Sequence, residues 1–541
     1  MNPRVVLVIE DKPEWIDAFV RCLCDSEVLS DGGYEYLSII ESRPDIELVV
    51  LDYNLKQTIT GGYILREIRR IKPSLCVALM SAEASGFTAG DAIDLANGFI
   101  SKESFISYDA AVCSILVLWR SYMKRSCSPL IQTEWDDLRT VIVHRPTNEL
   151  KCVNAQEARY LMPQRPDIAL AGEQHEAFVA VLQKSNVRVL DTRRLAEDVF
   201  SLAPADEREQ LLAEIVLDES EQELWRIFKE TGQTFPSLGA EALQDMKGAT
   251  PDEIVTRLYE GWSSTNWKRY STQFGKSHVP LLLEMCNAYF TRDPGFTLNG
   301  LFVVSSMTRR IRQREARLLD VILRQHPWFS DDRSVRYPVQ SFVRADPPNR
   351  IEGGDVVAIG PGELAIGLSE RTSFEAIEAL SRHLLVERDY QRIYVVPIPR
   401  TFAYMHLDTV FSLVSSDTAV CYPAAIGSNF LFFYFERSPS GKDIVLSNGT
   451  QPFLVHLQDK MGFKLVETAG GHPGLAMAEQ YGDATNTLAI GNGRVIAYAE
   501  NHTTNDCLRN AGIEVIEIKG SELVKGVGGP RCMTMPVQRG T

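Results

Sequence analysis

Four short apolar runs punctuate the first 125 positions, at Val5–Ile9, 48–51, 77–80 and 98–100. Runs of that length, bounded by polar residues, predict buried strands. Between and after them, residues 13–23, 62–71 and 110–123 place apolar side chains three and four apart, the spacing of an amphipathic helix. Strands alternating with helices predict a doubly wound parallel sheet, whose sites form at the carboxyl ends of the strands. Residues 126–139 carry neither period and read as a linker. A second alternating unit opens with a strand at 141–143 and a turn at His144-Arg145-Pro146. From about 192 to 285 the spacing is helical, at 193–200, 206–217, 221–230 and 252–260, broken by Gly and Pro. Beyond 290, short strands and helices alternate again, with turns at Gly353-Gly354, Gly470-Gly471 and Gly528-Gly529. No strict repeat is visible. The pattern gives an α/β unit over 1–125, a linker over 126–139, and a second α/β unit over 140–541 with a helical insertion at about 192–285.

Composition changes this picture little. A chain of 541 residues suits two to four domains. With 45% hydrophobic and 23% charged residues it is ordinary globular material. The net charge, 56 − 71 = −15, and the lack of any Lys/Arg block disfavour a nucleic-acid face. No apolar run is long enough to cross a membrane, and the first residues do not read as a signal peptide. Ten cysteines, at 22, 24, 76, 113, 127, 152, 286, 421, 507 and 532, form no C-x-x-C pair. A cytoplasmic, reduced protein is expected, and one thiol is a candidate nucleophile.

Polar residues gather at the strand ends of the first unit. Glu10 and Asp11 follow the first run, Asp52 ends the second, Ser81 follows the third and Lys102 the fourth. Three carboxylates on one sheet edge repel each other unless a hard divalent cation lies between them. An Asp beside Mg²⁺ and a Lys can accept a phosphoryl group, because both cations offset the developing charge. With Ser81 and Lys102 lying 29 and 50 residues beyond Asp52, the set resembles a response-regulator receiver domain, a flavodoxin-like fold. The resemblance implies that Asp52 is the phosphoacceptor and that Glu10, Asp11 and Asp52 hold Mg²⁺. It further implies that Ser81, Phe99 and Lys102 form the switch, and that a histidine kinase or a small phosphodonor supplies the phosphoryl group. Lys56 and Glu103 depart from the family, which commonly has Pro at both places.

The second unit spreads its chemistry over four segments. They are Phe290-Thr291-Arg292-Asp293-Pro294, Ile351-Glu352-Gly353-Gly354-Asp355, His406-Leu407-Asp408-Thr409 and Gly528-Gly529-Pro530-Arg531-Cys532-Met533. Cys, His and acid together equip nucleophilic catalysis. Several acids imply a cationic substrate, and a planar guanidinium pairs with carboxylates bidentately. In this order the segments resemble the arginine deiminase branch of the guanidino-modifying (pentein) superfamily, over about residues 140–541. That resemblance implies a five-fold pseudosymmetric α/β propeller with a helical insertion. It also implies hydrolysis of L-arginine to L-citrulline and ammonia through a thiouronium on Cys532, with no cofactor. Cys532 would be the nucleophile and His406 the general acid/base. Asp293 and Asp408 would clamp the guanidinium, and Glu352 would share proton handling with His406. Asn287, Arg312, Arg371 and Asp355 would bind the substrate, the first three at its amino-acid end. Val527 stands where such enzymes often have Arg. An amidinotransferase, an arginine dihydrolase and a non-catalytic arginine sensor are the competing readings. A homo-oligomer without nucleic-acid or membrane partners is expected, with the enzyme itself as the receiver's output.

Overall fold

A computed structural model describes residues 3–540 except 11, 24–25, 32–34, 44, 53–60, 73–74, 82–95, 103–106, 128, 154–160, 217–242, 245, 263–281, 330–334, 338–348 and 428–430. The expected helix at 221–230, and Asp11, Lys56 and Glu103, lie outside the described residues. Ser81 and Phe99 are described as backbone only. Contacts divide the chain into two compact units, residues 1–128 with 180–188, and residues 129–179 with 189–541.

The first unit holds a five-stranded sheet in the order β2-β1-β3-β4-β5. The strands are β1 (Val5–Ile9), β2 (Glu27–Asp31), β3 (Leu48–Asp52), β4 (Cys76–Ser81) and β5 (Gly98–Ser101), and every pairing is parallel. Helices Pro13–Cys22, Tyr36–Ser42, Gly61–Ile71 and Tyr108–Ser126 alternate with them. β1 and β3 are buried throughout, as strands covered on both faces must be. β2 has no apolar run because it is an edge strand with half-exposed residues.

The second unit repeats one motif five times. Two antiparallel strands are followed by a helix and a third strand beside the second. The first repeat is β8 (Gly295–Leu298), β9 (Leu301–Val304), helix Arg310–Gln325 and β10 (Val335–Tyr337). The second is β11 (Val356–Gly360), β12 (Glu363–Leu368), helix Phe374–Glu387 and β13 (Arg392–Pro397), widened by β16 (Leu431–Arg437) and β17 (Ile444–Pro452). The third is β14 (Phe411–Leu413), β15 (Thr418–Cys421), helix Phe453–Met461 and β18 (Lys464–Glu467). The fourth is β19 (Leu488–Gly491), β20 (Arg494–Tyr498), helix His502–Asn510 and β21 (Glu514–Ile518). The fifth joins distant ends: β22 (Met535–Arg539) runs antiparallel to β6 (Leu138–Val143), with helix Ile168–Lys184 and β7 (Arg188–Asp191) completing it. The helix Phe374–Glu387 packs its apolar stripe on its own sheet. Ala376, Ile377, Leu380 and Leu384 share one buried cluster with Leu364, Ile366, Ile393 and Val395.

The insertion contains helices Thr192–Leu202, Ala205–Ile215 and Pro251–Glu260, the last opened by a Thr250–Glu253 capping box. The segment read as a linker is, from residue 129, part of the second unit. Leu130 N–H donates to Val537 (3.0 Å), Arg539 N–H to Leu130 (2.8 Å) and Glu134 N–H to Ala358 (3.1 Å). Its polar composition hid this, because backbone bonds and ion pairs anchor it. Among the described residues, no helix is long and apolar enough to cross a membrane.

Candidate active site

The repeats put chemistry in one recurring place, the few residues before each first strand. Asp293 precedes β8, Glu352 precedes β11, His406 and Asp408 precede β14, Asn486 precedes β19 and Cys532 precedes β22. Positions far apart in sequence therefore converge. Asn287, Asp293, Arg312, Arg371, His406 and Cys532 line one narrow cavity, together with Leu161, Phe290, Met405 and Val527.

The imidazole sits among acids. His406 Nε2 lies 2.8 Å from Glu352 Oε2, and Nδ1 lies 3.5 Å from Asp293 Oδ1. Burial alone would push this imidazole down. Asp293, the Glu352 hydrogen bond and Asp355 outweigh burial and hold it at about 9. Burial would likewise raise Glu352, but His406, Arg371 and Arg312 bring it to about 2. The Gly353-Gly354 pair allows this packing. A Cβ on Gly353 would fall 2.2 Å from the Arg292 carbonyl, and one on Gly354 would fall 2.7 Å from the His406 ring.

The thiol sits on a polar seat. Cys532 N–H donates to Asn486 Oδ1 (2.9 Å), whose Nδ2 donates to the Asp408 carbonyl (3.1 Å). Cys532 Sγ lies 3.7 Å from Asp408 Oδ2. Burial, then Asp408, Asp293 and Asp483, push the thiol well above its ordinary range. Asp293 Oδ1 and Asp408 Oδ1 are buried without a hydrogen-bond partner among the described residues. Such acceptors cost roughly 1–3 kcal/mol each, more when charged, and a cation carrying N–H groups removes that cost.

The remaining expected residues differ in their freedom. Arg371 approaches Glu352 at 3.5 Å and the Met405 sulfur at 3.2 Å, while its Nε has no partner among the described residues. Arg312 is fully engaged. It donates to Asp293 Oδ2 (2.5 Å), Glu315 (2.8 Å) and the carbonyls of Asn287 (3.4 Å) and Phe290 (3.1 Å). It therefore orients the Asp293 carboxylate in this state. Asn287 donates to Cys286 Sγ at 3.3 Å. Asp355, expected to bind substrate, does not line the cavity. Its carboxylate accepts from Ser369 Oγ (2.7 Å) and Leu407 N–H (2.9 Å), pinning the loop behind His406. Burial pushes it up to about 7.

The sequence reading missed Arg531, Glu134 and Asn486. Arg531 donates to Asp408 Oδ2 (2.7 Å) and Glu134 Oε1 (3.1 Å), all buried. Adjacency of Arg531 to Cys532 was its only visible signal. Asp293, Glu352 and His406 offer donor atoms within 4.8 Å of one another, enough to surround a metal ion. Arg312 and Arg371 already face those two carboxylates and offset part of their charge.

In the first unit, Lys102 Nζ lies 2.5 Å from Glu10 Oε2 and 2.9 Å from Asp52 Oδ2, all three side chains buried. Burial pushes Glu10 up, and the Asp52 charge adds to this. Two buried acids at adjacent strand ends with one Lys fit a divalent cation chemically.

The sequence model of the arginine deiminase family matches residues 161–539. The arginine deiminase of Staphylococcus epidermidis is 34% identical over 419 residues, 76% of this chain and 98% of that protein. Those of Limosilactobacillus fermentum and Oenococcus oeni are 31% and 30% identical, each again covering 76% of this chain and 99% and 98% of their own. An amidinotransferase from Microseira wollei superposes with a TM-score of 0.43 at 16% identity, covering 76% of this chain and 98% of that one, too distant to bear on function.

Proposed function

The chain belongs to the arginine deiminase family of hydrolases, and from that premise we propose that it converts L-arginine and water to L-citrulline and ammonia on Cys532. The carboxylate oxygens Asp293 Oδ1 and Asp408 Oδ1, buried without a hydrogen-bond donor among the described residues, together with the thiol 3.7 Å from Asp408, carry this reading. A guanidinium entering there meets two acceptors and brings the positive charge that the thiol lacks. Its arrival lowers the thiol pKa, so the nucleophile forms with substrate in place.

The Cys532 thiolate attacks the guanidinium carbon. His406, protonated below about 9, gives its proton to the departing nitrogen, and ammonia leaves. The S-alkylthiouronium that remains is attacked by water, whose proton passes to His406. The C–S bond breaks as the remaining hydroxyl proton is lost to solvent, returning the thiolate and releasing citrulline. Glu352 steadies the imidazolium whenever His406 carries the proton. Arg371, which lines the cavity and whose Nε has no hydrogen-bond partner among the described residues, is the better placed of the two arginines for the substrate α-carboxylate.

Product analysis tests the reaction. Citrulline and ammonia are expected in equal amounts, unchanged by added glycine. Transfer of the amidino group to glycine would make the protein an amidinotransferase, a 2:1 yield of ammonia to ornithine a dihydrolase, and binding without turnover a sensor.

For the first unit, the proposal is a receiver in which Glu10, Asp11 and Asp52 hold Mg²⁺ and Asp52 accepts a phosphoryl group, with Ser81, Phe99 and Lys102 as the switch. The parallel sheet and the Glu10–Asp52–Lys102 cluster support it. Bound Mg²⁺ would neutralise charge on the transferred group, while Lys102 would hold one of its oxygens. Acetyl phosphate with Mg²⁺ is expected to label Asp52 and to change arginine kcat/KM or assembly. Unlabelled protein, or labelling that alters neither, would contradict it.

A further inference from the structure

The buried charge beneath the thiol is wired to a residue outside the family-matched span. Glu134 precedes β6 and is anchored to β11 through its N–H and the Ala358 carbonyl at 3.1 Å. Its Oε1 accepts from Arg531 Nη2 at 3.1 Å. Arg531 Nη1 donates to Asp408 Oδ2 at 2.7 Å, and that oxygen lies 3.7 Å from Cys532 Sγ. One guanidinium is thus shared by two carboxylates, and the next residue along the chain is the nucleophile. A third contact, Arg531 Nη2 to the Val356 carbonyl at 2.8 Å, fixes the fork in place.

Sharing matters for the field at the thiol. Arg292 and Arg539 also reach this pocket, and burial holds them down to about 9 and about 10. Burial would raise Glu134, but Arg531, Arg292 and Arg539 bring it to about 2, so it is a fixed negative charge. Without it, Arg531 has Asp408 as its sole carboxylate partner. Asp408, Asp293, Asp483, Tyr289 and Tyr498 act on Cys532, and His406, Arg312 and Arg371 line the same cavity as opposing positive charges. Asp408 is the nearest acid, and its effective charge is set by how much of Arg531 it must balance.

We propose that Glu134 is a positioning residue for the deimination site. By taking part of the Arg531 charge, it keeps Asp408 oriented yet anionic enough to grip the substrate guanidinium. The inference rests on the deiminase reading and extends it to a residue that touches no substrate.

The test follows Cys532 alkylation by iodoacetamide against pH without arginine, read at the Cys532 peptide, together with arginine kinetics. In Glu134→Gln, Asp408 is more fully neutralised. The thiol should titrate about one unit lower and KM should rise about tenfold, with kcat within about threefold. Glu134→Asp keeps the charge on a shorter stem and should fall between wild type and Gln in both readouts. Should Glu134→Gln not fold, Glu134→Asp alone decides. Titration at the wild-type pH in both variants, or a loss confined to kcat or to melting temperature, overturns the proposal. Alkylation needs no turnover, so a wild-type protein that makes no citrulline would refute the deiminase reading while the Glu134 arm still reports.

Discussion

Cys532→Ser is expected to end citrulline release while leaving arginine bound. The serine hydroxyl fits the same seat, with its N–H still on Asn486 Oδ1, so the pocket keeps its shape. The chemistry does not survive. An alcohol buried beside Asp408 and Asp293 is far harder to ionise than a thiol. Loss of a nucleophile costs on the order of 10⁴–10⁶-fold in kcat. Binding rests on the acids, so titration calorimetry with arginine should return an affinity within a few-fold of the KM of the parent enzyme. Residual turnover above about one part in a hundred would remove Cys532 from its role.

The second large effect is at His406. His406→Ala should lower kcat by about 10²–10⁴-fold, the range for a positioned proton donor. It should also destabilise the protein by about 3–5 kcal/mol at neutral pH, because Glu352, Asp293 and Asp355 then lose their shared cation. The sign with pH follows from the raised value. A group lifted from 6.5 to about 9 gives its stabilisation in full below 6.5 and loses it as pH climbs through 9. Wild-type urea midpoints should therefore decline across that window, and those of His406→Ala should not. Arginine kcat/KM should show an alkaline limb near 9, where the imidazolium disappears. A limb near 6.5 would mean that the acids do not hold the proton.

Legibility followed burial and spacing. β1, β3 and β4 were readable because strands covered on both faces are written as unbroken apolar runs. β2 was not, since Glu27, Val28, Leu29, Ser30 and Asp31 form a half-exposed edge. In the second unit the motifs around Asp293, Glu352, His406, Asp408 and Cys532 were conspicuous because each joins a reactive group to a turn. The architecture that unites them was legible only through the family resemblance, because the five repeats share a succession of elements and no residue pattern. Asp355 stood one turn from Glu352 and looked equivalent, but its carboxylate is consumed by Ser369 and Leu407. Arg312 was found as a cation near the site, yet its Asp293 and Glu315 partners lie in register only once the helix Arg310–Gln325 is placed. Glu134 sat in a stretch with no period at all.

The pairing of β22 with β6 sets Met535 opposite Ile142. Joining residues so distant along the chain pays a loop-closure entropy that only the completed structure repays, so this seam is expected among the late contacts to form. Because every repeat lends at least one group, a half-assembled unit holds an incomplete site. Turnover should consequently appear in refolding as one cooperative event, trailing the return of secondary structure, and a nick within any single repeat should silence the whole.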